Sequence, residues 1–153
     1  MRALMIGAAA LALSAAANAK SLWILNEADG RTALFFGVED SPEEIDVMFA
    51  CQGGGGVEVT ILRTSEKVRS GTDVTFTMAI GKTKTQLQGA AVDNHLDGIP
   101  TAVAQAGVRN PVLQALTGKG ELLVDVGGAK ISAPLATMGK KAKTFLDKCK
   151  PTM

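Results

Sequence analysis

Tyrosine is missing from this chain, tryptophan occurs once (Trp23) and phenylalanine only five times. Single-strand nucleic-acid sites are built on aromatic stacking platforms, and sugar sites use the same device. Phe36, Phe49 and Phe76 lie in apolar, strand-like runs that claim them for a core. Polysaccharide and single-stranded nucleic acid are therefore poor fits as ligands. An excess of positive charge is lacking too. If the first nineteen residues are removed, fifteen acids face fifteen bases. A general nucleic-acid binder needs a net basic footprint, so the expectation is no nucleic-acid partner.

Catalytic and cofactor signatures are equally sparse. No G-x-S-x-G turn presents a serine nucleophile: Ser65, Ser70 and Ser132 sit in ordinary contexts. Gly53–Gly56 is followed by a strand pattern, not by a helix with a Lys-Ser/Thr end, which a phosphate-cradling loop requires. Neither a cofactor nor a catalytic residue is expected. Histidine occurs once, as His95 within Asp93-Asn94-His95-Leu96-Asp97. In a strand, Asp93, His95 and Asp97 would share one face. They form the best candidate for a metal site or an acid/base pair. A second histidine and a nucleophile are both missing, and the plain alternative is a surface histidine at a turn.

What the chain does have begins at its N-terminus. Arg2 precedes an apolar stretch from Ala3 to about Leu13, and Ala17-Asn18-Ala19 offers small residues at both positions that signal peptidase reads. That order is a secretory signal. The stretch falls short of the roughly 20 apolar residues of a membrane span, and no second apolar segment follows. Without a twin arginine the general secretory route is expected, with cleavage between Ala19 and Lys20. No cysteine follows the cleavage position, so lipid attachment there is not expected. Removing nineteen residues from 153 leaves 134, which is one domain of ordinary size, residues 20–153, placed in the periplasm.

Cys51 and Cys149 are the two cysteines. An even pair in an exported chain usually forms a disulfide. They are too far apart in sequence for a C-x-x-C redox pair. Charge is clustered. Glu39, Asp40, Glu43, Glu44 and Asp46 form an acidic segment, and Lys140, Lys141, Lys143, Lys148 and Lys150 a basic one. Each reads first as a solvated face, and alternatively as a partner-binding surface or as mutual contact between the two.

Period-two alternation recurs along the chain. Ile45, Val47, Phe49 and Cys51 share a face, as do Val57, Val59 and Ile61, and then Val74, Phe76, Met78 and Ile80. Strands are expected at 21–26, 32–38, 46–51, 57–62, 73–80, 83–88, 91–96, 121–126 and 129–133, with 101–108 ambiguous. Asn110-Pro111 starts a short helix that Gly118 ends. A closing helix is expected over about 137–148, with Met138, Ala142, Phe145, Leu146 and Cys149 on its apolar side. The fold class is α+β, a mostly antiparallel, sandwich-like sheet with a short internal helix and a C-terminal helix, closed by one disulfide.

Two blocks carry a family resemblance: "MFACQGGGGVEVTI" and "PVLQALTGKGELLVDVGGAKISAPLATMGKKAKTFLDKC". They put a cysteine at the end of a central strand and a second at the end of a closing helix. This resembles small periplasmic domains of Gram-negative bacteria related to the VasI/TagO-type accessory proteins of type VI secretion. About half of the mature chain is covered, and Lys150-Pro151 stands where those domains carry an aromatic. The resemblance implies the fold, the Cys51–Cys149 bridge and a secretion-associated role, and it implies no catalytic residue. The function expected is that of a non-catalytic protein-binding or cell-envelope accessory factor, or an inhibitor. Its partner would be another envelope or periplasmic protein, met through the acidic segment or Gly53–Gly56. A small metal-binding protein or hydrolase centred on His95, and a carrier of a small apolar ligand, are the alternatives.

Overall fold

The computed structural model describes residues 20–62, 64–94 and 98–151. The expected signal segment, residues 1–19, lies outside the described residues. Nine strands form one sheet: β1 (Leu22–Ala28), β2 (Arg31–Gly37), β3 (Ile45–Gln52), β4 (Gly56–Ile61), β5 (Asp73–Ile80), β6 (Thr83–Val92), β7 (Thr101–Gly107), β8 (Glu121–Val126) and β9 (Ala129–Pro134). Two helices join them, α1 (Pro111–Ala115) and α2 (Lys141–Cys149). The strand order is β1-β2-β3-β4-β7-β6-β5-β8-β9, with every neighbouring pair antiparallel. The mostly antiparallel α+β class with its closing helix is as the alternation predicts. The arrangement is one curled sheet, where the sequence pattern left a sandwich equally open.

Register explains the core. Cross-strand partners point to the same side of a sheet. One inward row runs Trp23, Phe36, Val47, Ile61, Ala102 and Ala91 across six strands. On β5, β8 and β9 the inward positions continue with Phe76, Met78, Ile80, Leu122, Val124, Val126 and Ala133. Trp23, Phe49, Phe76 and Phe145 are fully buried. All of the few aromatics but Phe35 are thus spent on the interior, where Trp23 packs on Phe36 and Phe49 with ring centroids 5.3 and 6.2 Å away.

β1 and β9 are the two outer strands of the sheet, and Trp23 joins them. Its indole Nε1–H donates to the Pro134 carbonyl at 2.9 Å. Its backbone N–H donates to Thr137 Oγ1 at 3.0 Å, and the Lys141 ammonium donates to its carbonyl at 2.7 Å. An edge strand normally presents unpaired backbone groups to solvent; here the sheet curls until one edge meets the cover of the other. Pro134 suits an edge because it has no N–H to leave unpaired.

The helices line the inner face. α2 packs on β1, β2 and β3 and buries Ala142, Phe145, Leu146 and Cys149, with Lys143 and Lys148 outward. α1 packs on β5 and β6 and buries Val112 and Leu113. Asn110 caps it, its side-chain oxygen accepting from the Val112 N–H at 3.0 Å.

Two local expectations are corrected and one ambiguous run is resolved. The closing helix begins at Lys141, after a 3-10 turn at Leu135–Thr137, because Gly139 takes a left-handed φ of +53° that interrupts the helix. Of the strand expected at 91–96, Ala91 and Val92 are the end of β6, which runs unbroken from Thr83 to Val92, Asp93 and Asn94 lie beyond it, and residues 95 and 96 lie outside the described residues. Gly89, within β6, sits against β7, where a Cβ would run into the Val103 carbonyl and come within 2.9 Å of the Ala104 side chain. The ambiguous run 101–108 is β7, central in the sheet, its pattern muted by alanines chosen for small size beside that glycine.

Two stability outcomes follow from this packing. Trp23→Phe should lower unfolding free energy by about 1–3 kcal/mol or more, since the Pro134 carbonyl loses its donor and ring volume is lost. Gly89→Ala should cost about 1–3 kcal/mol as overpacking, whereas Gly107→Ala, where a Cβ meets nothing within 4 Å, should be near neutral. Urea unfolding with equal m-values across the set checks all three.

Candidate partner-binding surfaces and the disulfide

The most constrained point outside the core is the disulfide. Cys51 ends the inward row of β3 and Cys149 ends α2; they are bonded, with Cα atoms 5.1 Å apart and 98 positions between them in sequence. That Cα spacing is ordinary for a bridge. Cys149 is buried and Cys51 half-buried. The bond pins the last turn of the last helix to the third strand.

Cys51 leads directly into the glycine run, so the bridge also fixes where that loop sits. Gly53–Gly55 forms a tight turn kinked at Gly54 between β3 and β4, the hairpin position that the alternation predicts. Gly54 and Gly55 have φ of +73° and +84°, which only glycine adopts cheaply. Gly55 is packed in, its carbonyl accepting the Val108 N–H at 2.8 Å and its would-be Cβ 3.0 Å from Pro151. Gly53 and Gly54 are exposed, with nothing within 4 Å of a Cβ at either.

Beside this loop the β1–β2 turn and the end of α2 enclose an open cavity of about 940 Å³. Both cysteines line it. Its polar lining is balanced: Glu27, Asp29 and Glu58 against Arg31, Lys148 and Lys150. Lys150 is engaged with Asp147 at 2.9 Å. That hydrogen bond holds the Asp147 carboxyl below its ordinary value against weak desolvation, and the charges of Lys150 and Lys143 add to the lowering. A depressed carboxylate contributes to stability above its ordinary pKa, and the contribution fades as pH falls through the lowered value. A concave surface of alternating charge is suited to a folded, polar partner surface more than to one small ion.

The acidic segment lies at the opposite ends of these strands, between β2 and β3. Backbone bonds fold it tightly: Val38 N–H to the Glu44 carbonyl at 3.1 Å, Ser41 N–H to Val38 at 3.2 Å and Glu44 N–H to Ser41 at 2.9 Å. Glu39, Asp40, Glu43 and Glu44 are exposed. Asp46 is half-buried at the start of β3, and its backbone carbonyl accepts the Leu62 N–H at 3.4 Å. Among the described residues no ion pair joins Glu39, Asp40, Glu43 or Glu44 to the C-terminal lysines.

His95 and Asp97 lie outside the described residues. Asp93 is exposed just beyond the end of β6. Among the described residues no group of three or more His, Cys, Asp or Glu converges as a metal site would need. The cavity at the disulfide end was not legible as a cavity. Its two turns, Asp29-Gly30 and Gly53–Gly56, are visible in the sequence, but their convergence depends on β1–β3 register and on the helix end. The cysteine pair was the available signal, because bonding Cys51 to Cys149 places the glycine loop beside Lys148 and Lys150.

Replacing both cysteines (Cys51→Ala with Cys149→Ala) should cost roughly 2–5 kcal/mol. Denaturant unfolding of the unmodified chain in reductant should approach that of the double variant, and coincident curves with and without reductant would contradict the bond. No family, no curated protein and no solved structure matches this chain.

Proposed function

We propose that this chain is a soluble periplasmic, non-catalytic domain that acts by binding another envelope protein, as an accessory factor or as an inhibitor. The observation that carries the reading is the division between a filled interior and a recessed, charged exterior. The largest side chains, among them Trp23, Phe49, Phe76, Phe145 and Met78, are fully buried against one another. A core filled in this way among the described residues speaks against the enclosed apolar ligand that a carrier holds. The concavity described above is instead open, flanked by two exposed turns and lined by both signs of charge, as the polar rim of a protein interface is.

Compartment has its own support. A disulfide that closes nearly the whole domain is maintained in oxidising surroundings, and the order of residues in 1–19 is that of an export signal. Among the described residues no helix is long and apolar enough to cross a membrane. The likeness of the strand and terminal blocks to VasI/TagO-type domains favours a secretion-associated role among the accessory possibilities.

Immobilised, disulfide-intact chain should retain a specific protein from envelope extract. Reversing the cavity cations (Arg31→Glu with Lys148→Glu) should reduce that retention at least tenfold. Retention of nothing, or identical retention by the reversed variant and by a reduced, unfolded control, would sink the reading. His95→Ala should leave partner retention and metal affinity unchanged; loss of a bound metal would move the function to that residue instead.

A further inference from the structure

The outward face of the sheet is divided into two unlike halves, and register shows the division. One outward row runs Ile24, Phe35, Met48, Thr60, Val103 and Ala90 as direct cross-strand partners over β1, β2, β3, β4, β7 and β6. At six strands and about 4.8 Å per step, the row is roughly 24 Å long. Ile24, Phe35, Met48 and Val103 are each half-buried, and Val92, two residues along β6 on the same side, is 43% exposed. The outward positions of β5 and its neighbours are more mixed: Thr77 stands between Gln86 and Asp125, while Leu123, paired with Ala79, is 47% exposed. A solvated outer face of an antiparallel sheet is expected to be polar throughout. An apolar row interrupted by the buried Thr60, and bordered toward the disulfide end by Asn26, Glu58 and Gln105, marks an interaction surface.

The same ends of β2 and β3 carry the exposed carboxylates Glu39, Asp40, Glu43 and Glu44, which make no ion pair among the described residues. Lys20, at the start of β1, is the nearby described cation in the sequence. An apolar row with an acidic border is complementary to a partner with apolar side chains flanked by lysine or arginine. It is a poor match for an anionic lipid surface, which those carboxylates would repel.

Resting on the protein-binding reading, we infer that the outward face of β1–β4 and β7, centred on Phe35 and Met48, is a docking surface for a basic, amphipathic segment of a partner protein. It adjoins the cavity at the disulfide end, whose lining includes Met48 but not Phe35. Phe35, outside the cavity, and Lys148, outside the row, therefore separate the two surfaces in a test.

The test places a benzophenone amino acid, one position at a time, at Phe35, Met48, Thr77 or Lys148 of the full exported chain and irradiates intact cells. Retained disulfide confirms folding of each variant. Positions 35 and 48 should each give an adduct with one protein, and the cross-linked peptide should carry Lys or Arg beside apolar residues. Glu43→Lys with Glu44→Lys should cut that yield at least tenfold. An adduct with lipid, with a second copy of this chain, or equal in yield at Thr77 overturns the inference, as does indifference to the charge reversal. Adducts at Lys148 alone would leave protein binding intact and remove this face from it. Adducts at none of the four positions would remove both.

Discussion

An antiparallel sheet that does not close has two edges, and the backbone groups along them must go somewhere. Here that demand converges on Trp23. Its indole reaches the last strand, its N–H finds a threonine beyond that strand, and its carbonyl takes the first lysine of the closing helix. The side chain also stacks in the core on Phe36 and Phe49. One residue thus couples burial of apolar area to the satisfaction of edge polarity. The curl of the sheet, the seat of α2 and the meeting of first and last strands all depend on it.

The disulfide constrains the same helix from its other end. Lys141 anchors the start of α2 to β1, and Cys149 anchors its finish to β3. Between the two anchors the helix crosses β2 and covers the inner face with Ala142, Phe145 and Leu146. A nine-residue helix is too short to hold its shape in water alone. Its order is supplied by the sheet and by a covalent bond.

Much of this was legible in the sequence. Alternation from Ile45 to Cys51 and from Val74 to Ile80 identified strands correctly because each has one buried face, which is the condition under which period two appears. Asn110-Pro111 marked a helix start through capping chemistry that needs no tertiary context. Legibility failed where packing, not local preference, chose the residue. The sequence pattern divided β6 into two strands, at 83–88 and 91–96, where Gly89 is an accommodation to the backbone of β7. Alanines at 102, 104 and 106 concealed a central strand, since small residues carry little periodic signal. The apolar outward row was hidden for another reason: Ile24, Phe35, Met48 and Val103 belong to four different strands, and only register aligns them. The candidate site around His95 rests on an in-strand geometry, and its centre falls outside the described residues.

The partners of Trp23 lie 111 to 118 positions away along the chain. Synthesis runs from the first strand to the last helix, so β1 is made early and covered late. During that interval its edge is a template for any other extended chain. Contacts this distant also make for slow closure. A chain cut short before Thr137 would retain most of its sheet yet keep that edge open permanently. The segment from Thr137 to Cys149 therefore acts as an internal guard against self-association, a service it renders long before any partner is met.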